Sequence, residues 1–96
     1  MLMGMPDIDY VWGRIRSHEG EEFATVTGKP FTYALTSSDL FVTRNGKEIN
    51  RSLSRRNFER ALKLMPADGP GELQDLQGPS STWAILMDSR IRQGDW

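Results

Sequence analysis

The chain has 96 residues, 12 Lys and Arg against 13 Asp and Glu, a single His and no Cys. This length suits one small domain and is too short for two. The missing thiols exclude disulfides, thiolate zinc sites, iron–sulfur clusters and cysteine nucleophiles.

A hydrophobic share of 38% with nine glycines is ordinary for a globular protein. No apolar run approaches the roughly 18–20 residues of a transmembrane helix, and Met1-Leu2-Met3-Gly4-Met5 lacks the basic segment of a signal peptide. A soluble cytoplasmic domain spanning 1–96 is expected, with 1–6 disordered. In the first periodic segment, Ile8, Val11, Trp12 and Ile15 fall at i, i+3, i+4 and i+7, the stripe of an amphipathic helix from Asp7 to Ser17. Asp7 is placed to cap it, and Gly20 to follow its end in a left-handed conformation. From Glu22 the period changes to 2. Phe23–Thr27 and Phe31–Leu35 read as strands joined by a turn at Gly28-Lys29-Pro30. Phe31, Tyr33 and Leu35 share the face that should meet the core. After a break at Thr36–Asp39, Leu40–Arg44 and Lys47–Arg51 flank Asn45-Gly46, a pair that tolerates the two positive φ angles of a type I′ hairpin turn. The return strand is polar and reads as an edge.

Ser54 precedes a helix predicted from Arg55 to about Met65. Leu53 and Phe58 stand at the positions of a hydrophobic staple, and Pro66 follows the helix. Residues 66–79 form a Pro/Gly-rich loop in which Leu73 and Leu76 suggest one helical turn pinned to the core. The run Trp83–Met87 fits a buried helix capped by Ser80 or Ser81, and residues 90–96 read as a polar tail. The expected fold class is α+β: an N-terminal helix, a four-stranded antiparallel meander, and two C-terminal helices packed on one sheet face. Its core is expected to hold Ile8, Val11, Trp12, Ile15, Phe23, Phe31, Tyr33, Leu35, Val42, Phe58, Leu62, Trp83, Leu86 and Met87.

Two stretches, Phe23-Ala24-Thr25-Val26-Thr27-Gly28-Lys29-Pro30-Phe31-Thr32-Tyr33 and Gly78-Pro79-Ser80-Ser81-Thr82-Trp83-Ala84-Ile85-Leu86, resemble a group of short, uncharacterised bacterial proteins of about this size. The resemblance extends over most of the chain from Trp12 onward. It implies a bacterial stand-alone domain and supplies no activity, cofactor or catalytic residue.

Charge is unevenly distributed. Residues 44–63 hold seven bases and two acids, a balance of +5 in a chain that is otherwise −6. The candidate contact residues for a partner are therefore Arg44, Lys47, Arg51, Arg55, Arg56, Arg60 and Lys63. Such segregation marks either a surface for an anionic partner or a solvated face met by the acidic flanks. Arg55 and Arg56 also oppose the dipole of the helix they begin.

Signals for chemistry are weaker. His18 with Glu19, Glu21 and Glu22 offers nitrogen and oxygen ligands, but its place at a helix end suits a solvated histidine equally well. No Gly-x-Ser-x-Gly elbow frames a serine. Gly69-Pro70-Gly71-Glu72 lacks the Gly-Lys-Ser/Thr ending of a phosphate loop. No catalytic, cofactor or metal residue is assigned. The expectation is a non-catalytic protein-interaction or accessory module, a monomer or homodimer. Met3, Met5, Tyr10 and Trp96 are candidate apolar anchors. The alternative is a nucleic-acid-binding domain using residues 44–63. Against it stand a pI near 5.8 and the lack of a helix-turn-helix or aromatic RNA-binding signature.

Overall fold

A computed structural model describes residues 7–96, apart from the side chains of residues 49–51. The disorder expected of residues 1–6, and Met3 and Met5 as anchors, lie outside the described residues. Helix α1 spans Ile8–Ser17. An Asp7 carboxylate oxygen accepts from the Tyr10 N–H at 3.1 Å, satisfying one of the amides that a first turn leaves without a partner. Ile8, Val11, Trp12 and Ile15 are buried along one stripe. Gly20 takes φ +87° just beyond the end.

Four strands follow in sequence order as an antiparallel meander: β1 Phe23–Ala24, β2 Pro30–Leu35, β3 Asp39–Arg44 and β4 Lys47–Ser54. Strand β1 is shorter than its sequence pattern suggests, and its turn comes earlier. Gly28 N–H donates to Thr25 O at 2.8 Å, while the buried Thr25 hydroxyl accepts from Lys29 N–H at 3.1 Å. A threonine side chain that bonds its own backbone competes with the ladder, so Thr25–Gly28 closes as a turn. The Asn45-Gly46 turn forms as expected, with φ of 55° and 78°.

Strand β4 runs past Arg51 to Ser54 because Leu53 pairs with Leu40 and is buried beside it. Val42 pairs with Ile49, so residues 50–52 stand opposite Phe41 alone. The ladder bulges there. On the outer edge of β2, Gly20 N–H donates to Tyr33 O at 3.0 Å, and the Glu19 carboxylate accepts from Leu35 N–H at 2.8 Å. The α1–β1 connection thereby covers backbone groups that the short β1 leaves open.

Phe31, Tyr33, Leu40, Val42 and Leu53 face the helices. Their alternates Thr32, Ala34, Phe41 and Thr43 are exposed or half-buried on the other face. Tyr33 passes beneath α1 and donates to Ile15 O at 2.6 Å. Burial pushes its phenol well above the ordinary value of 10.0. Helix α2 spans Arg55–Leu62 and ends earlier than its apolar pattern does, although Met65 is still buried. Its cap is the expected one, since the Ser54 hydroxyl accepts from Asn57 N–H at 3.1 Å. Phe58 meets Trp12 with ring centroids 5.7 Å apart.

A 3-10 turn, Pro70–Leu73, buries Leu73 as the suggested pin. Helix α3, Pro79–Met87, is capped by neither serine. Gly78 holds the cap position at φ +52°, with Pro79 as first residue. A Cβ on Gly78 would lie 2.8 Å from Leu53 Cδ2 and would have to displace it, in a left-handed backbone conformation that favours glycine. Leu35, Trp83 and Met87, expected in the core, are partly buried against it.

The C-terminal segment is not a free polar tail. Ser89–Arg92 forms a short helix, α4, that buries Ile91. Trp96 is 9% exposed and donates its indole N–H to Leu86 O at 2.8 Å. An indole carries enough apolar area to fold back wherever its N–H finds an acceptor.

Candidate interaction surface

Helix α2 fixes the orientation of the cationic segment. Phe58, Ala61 and Leu62 are buried on its inner face. Asn57, 7% exposed, locks the same face with polar contacts: its amide accepts from Gln77 N–H and donates to Gln77 O, each at 3.0 Å. The amide also donates to the Thr82 hydroxyl at 3.3 Å. With that face committed, Arg56, Glu59, Arg60 and Lys63 are left to solvent. Among the described residues, Arg56, Arg60 and Lys63 make no ion pair within 4.0 Å.

The other candidates are not gathered with them. Arg55 pairs with Asp9 of α1, among the described residues the one place where an acidic flank meets the basic segment in an ion pair. Arg44 is half-buried, and its Nε has no hydrogen-bond partner among the described residues. Lys47 is exposed beside the hairpin turn. Strand β4 lies between Lys47 and Ser54 and, at about 3.3 Å per residue, holds the hairpin tip roughly 20 Å from the start of α2. The Arg51 side chain lies outside the described residues.

Beside the exposed face of α2 lies a groove of about 350 Å³, open to solvent. Arg60 and Lys63 form one wall, Glu72 and Asp75 the other, and Leu64, Leu73 and Leu76 the apolar lining. Leu64 is 48% exposed there. Sequence reading singles out the cations but not the groove, because its far wall comes from a loop twelve or so residues downstream.

Flanking arginines, in contrast, are internal ties. Arg14 donates to Ile91 O at 2.9 Å and bonds the Asp95 carboxylate at 2.5 Å, joining α1 to the C-terminal segment. Arg90 is more heavily engaged. It binds Asp88 at 2.9 Å, Glu21 at 3.1 Å and Glu22 O at 2.9 Å, with its guanidinium 3.8 Å above the Phe23 ring. Arg90 holds the Asp88 carboxyl below the usual range. The His18 ring, 3.0 Å away, does the same for Glu21 with help from Arg90. The acids near His18 are thus turned to structural bonds: Glu21 to Arg90, and Glu19 to Leu35. No group of three or more His, Cys, Asp or Glu that could hold a metal occurs among the described residues. No helix among them is long and apolar enough to cross a membrane.

Comparison of the chain with protein-family models, with curated proteins and with solved structures finds no match to any of the three.

Proposed function

We propose that the chain is a non-catalytic protein-interaction module whose contact surface is the outer face of α2 and the groove beside it. The observation that carries this reading is the coincidence, on one side of the molecule, of three exposed cations with no ion pair among the described residues and a half-exposed leucine in a groove of mixed charged and apolar lining. Desolvated apolar anchors supply most interface energy, and surrounding charges select the partner and speed encounter. A phosphate backbone would instead favour cations without the acids Glu72 and Asp75 that line the same groove.

The test is affinity capture from a bacterial lysate on the immobilised full chain, followed by mass spectrometry. A stoichiometric protein is expected that resists nuclease treatment, is lost with Arg60→Glu plus Lys63→Glu, and is retained with Lys47→Glu. Capture of nothing, or capture that survives the groove reversal, overturns the assignment. Capture abolished by nuclease replaces it with the nucleic-acid reading.

A further inference from the structure

The groove beside α2 has walls of opposite charge. Arg60 on α2 and Lys63 at its C-terminal cap form the near wall. Glu72 on the Pro70–Leu73 turn and Asp75 just after it form the far one. All four are exposed, and no ion pair within 4.0 Å joins the two walls among the described residues. The Glu72 carboxylate is instead turned along its own wall, where it accepts from Asp68 N–H at 2.9 Å. The far wall is anchored to the rest of the fold. Leu73 is fully buried, Leu76 N–H donates to Leu73 O at 2.9 Å, and the Trp83 indole donates to Ala67 O at 2.9 Å near the start of the loop. The apolar surface still open in the groove belongs to Leu64, 48% exposed, and to the half-buried Leu76.

We propose that the partner segment filling this groove is dipolar, with one large apolar side chain lying between an acid and a base. The apolar side chain covers Leu64 and Leu76, the acid faces Arg60 and Lys63, and the base faces Glu72 and Asp75. This inference rests on the groove being the contact surface and names the chemistry of what enters it. Charge balance is the observation that selects that chemistry. A uniformly acidic segment gains at the near wall and is repelled at the far one, and a uniformly basic segment meets the reverse. A dipolar segment gains at both. Because the walls do not pair with each other directly, each keeps its charge for a partner. The same polarity fixes which way the segment lies, since turning it end for end sets like charge against like at both walls. A volume of about 350 Å³ is at the small end of the range for binding sites, roughly 300–1,000 Å³. It suits one anchor side chain and its flanks.

The experiment titrates the isotope-labelled full chain with synthetic peptides and follows backbone amide chemical shifts at about 50 mM salt, where exposed charges are weakly screened. The probes are alanine-rich peptides of about 15 residues, long enough to hold a helix. Each carries a central leucine with a charged residue one turn to either side on the same face. One has glutamate and lysine, one has two glutamates, one has two lysines, and a fourth is the dipolar peptide with serine for leucine. With the wild type, the dipolar peptide is expected to bind roughly three- to tenfold tighter than either like-charged peptide, the scale of exposed charge pairs. Its shifts are expected to centre on Leu64, Asp75 and Leu76, and the serine peptide to bind more weakly. Two variants, verified as folded by circular dichroism, move the preference. Arg60→Glu plus Lys63→Glu leaves two acidic walls and is expected to favour the two-lysine peptide. Glu72→Gln plus Asp75→Lys keeps an acceptor for Asp68 N–H, leaves no acid in the groove and is expected to favour the two-glutamate peptide. Equal affinity for the three charge arrangements, a preference that does not follow the reversed wall, or shifts centred elsewhere overturn the proposal. No binding of any peptide, with a lysate protein still captured through Arg60 and Lys63, overturns only this inference and leaves the interaction-module reading in place. Failure of both overturns both.

Discussion

Asn57 stands on the buried stripe of α2, between the cap and Phe58, where an apolar residue would be the usual occupant. Its carboxamide bridges both backbone groups of Gln77 and the Thr82 hydroxyl. This ties α2 to the loop that launches α3. Replacing it with Ala removes three hydrogen bonds and leaves partly buried groups without partners, at a cost of about 2–3 kcal/mol. Urea unfolding of Asn57→Ala should register that loss in the midpoint without a change in slope. A loss below about 0.5 kcal/mol would mean that water replaces the bridge. The apolar pattern starts at Phe58 and leaves Asn57 without a role, and nothing local identifies Gln77, twenty positions away, as its partner. Gly78 is similar. A glycine before Pro-Ser-Ser reads as a loop residue, and the space it keeps clear is that of Leu53 lying against it.

At the scale of elements, local pattern and local chemistry agree for α1, α2 and the β3–β4 hairpin. Each carries its own cap or turn residues, satisfied by neighbours within four positions. Agreement fails where an element depends on a distant partner. Strand β1 stops early because the Thr25 hydroxyl closes a turn, and β4 extends because Leu40 and the core accept Leu53. Helix α4 owes its place to the arginine clasps, above all Arg90. Asp88 and Glu21 both have pKa values depressed from their ordinary 3.8 and 4.5, Asp88 by its bond to Arg90 and Glu21 by His18 and Arg90.

Such carboxylates bind protons more weakly folded than unfolded. Their stabilisation is complete above the unfolded value and is lost as pH falls through the folded one. Urea midpoints of the wild type should therefore drop between about pH 5 and about pH 3. Arg90→Ala should start lower at pH 6 and show a shallower drop. Equal slopes would mean that Arg90 is not the group holding these carboxyls ionised.

Across the whole molecule, the C-terminal segment closes the core. Trp96, Ile91 and Leu86 are buried together with α1 residues, and Arg14 grips the carbonyls of Ile91 and Arg92 and the carboxylate of Asp95. Emptying the site with Trp96→Ala is expected to cost about 3–5 kcal/mol, the range for removing a large buried aromatic. In a domain of this size each kcal/mol moves the midpoint by roughly 4–8 °C. Thermal circular dichroism should therefore show Tm lowered by more than about 10 °C. A shift of only about 3 °C would place the indole outside the cooperative core. The charge partition acts at the same scale. The excess of +5 in residues 44–63 is divided by β4 into a hairpin end and a helix end. Among the described residues, only the helix end combines exposed cations with a half-exposed leucine.

Periodicity, caps and turn chemistry were enough to predict the first helix, the meander and α2 as elements, since each follows from side chains that act within one or two turns of their own backbone. The class of the C-terminal run followed from its length and its Pro-Ser-Ser lead. What only the tertiary structure decided was the use of individual residues. Arg14 and Arg90 became internal ties, Trp96 became core, and Arg60, Lys63 and Leu64 became one wall of a groove closed by Glu72 and Asp75. Those assignments depend on contacts between segments distant in sequence, and charge or hydrophobicity read along the chain carries no information about which distant segment a side chain will meet.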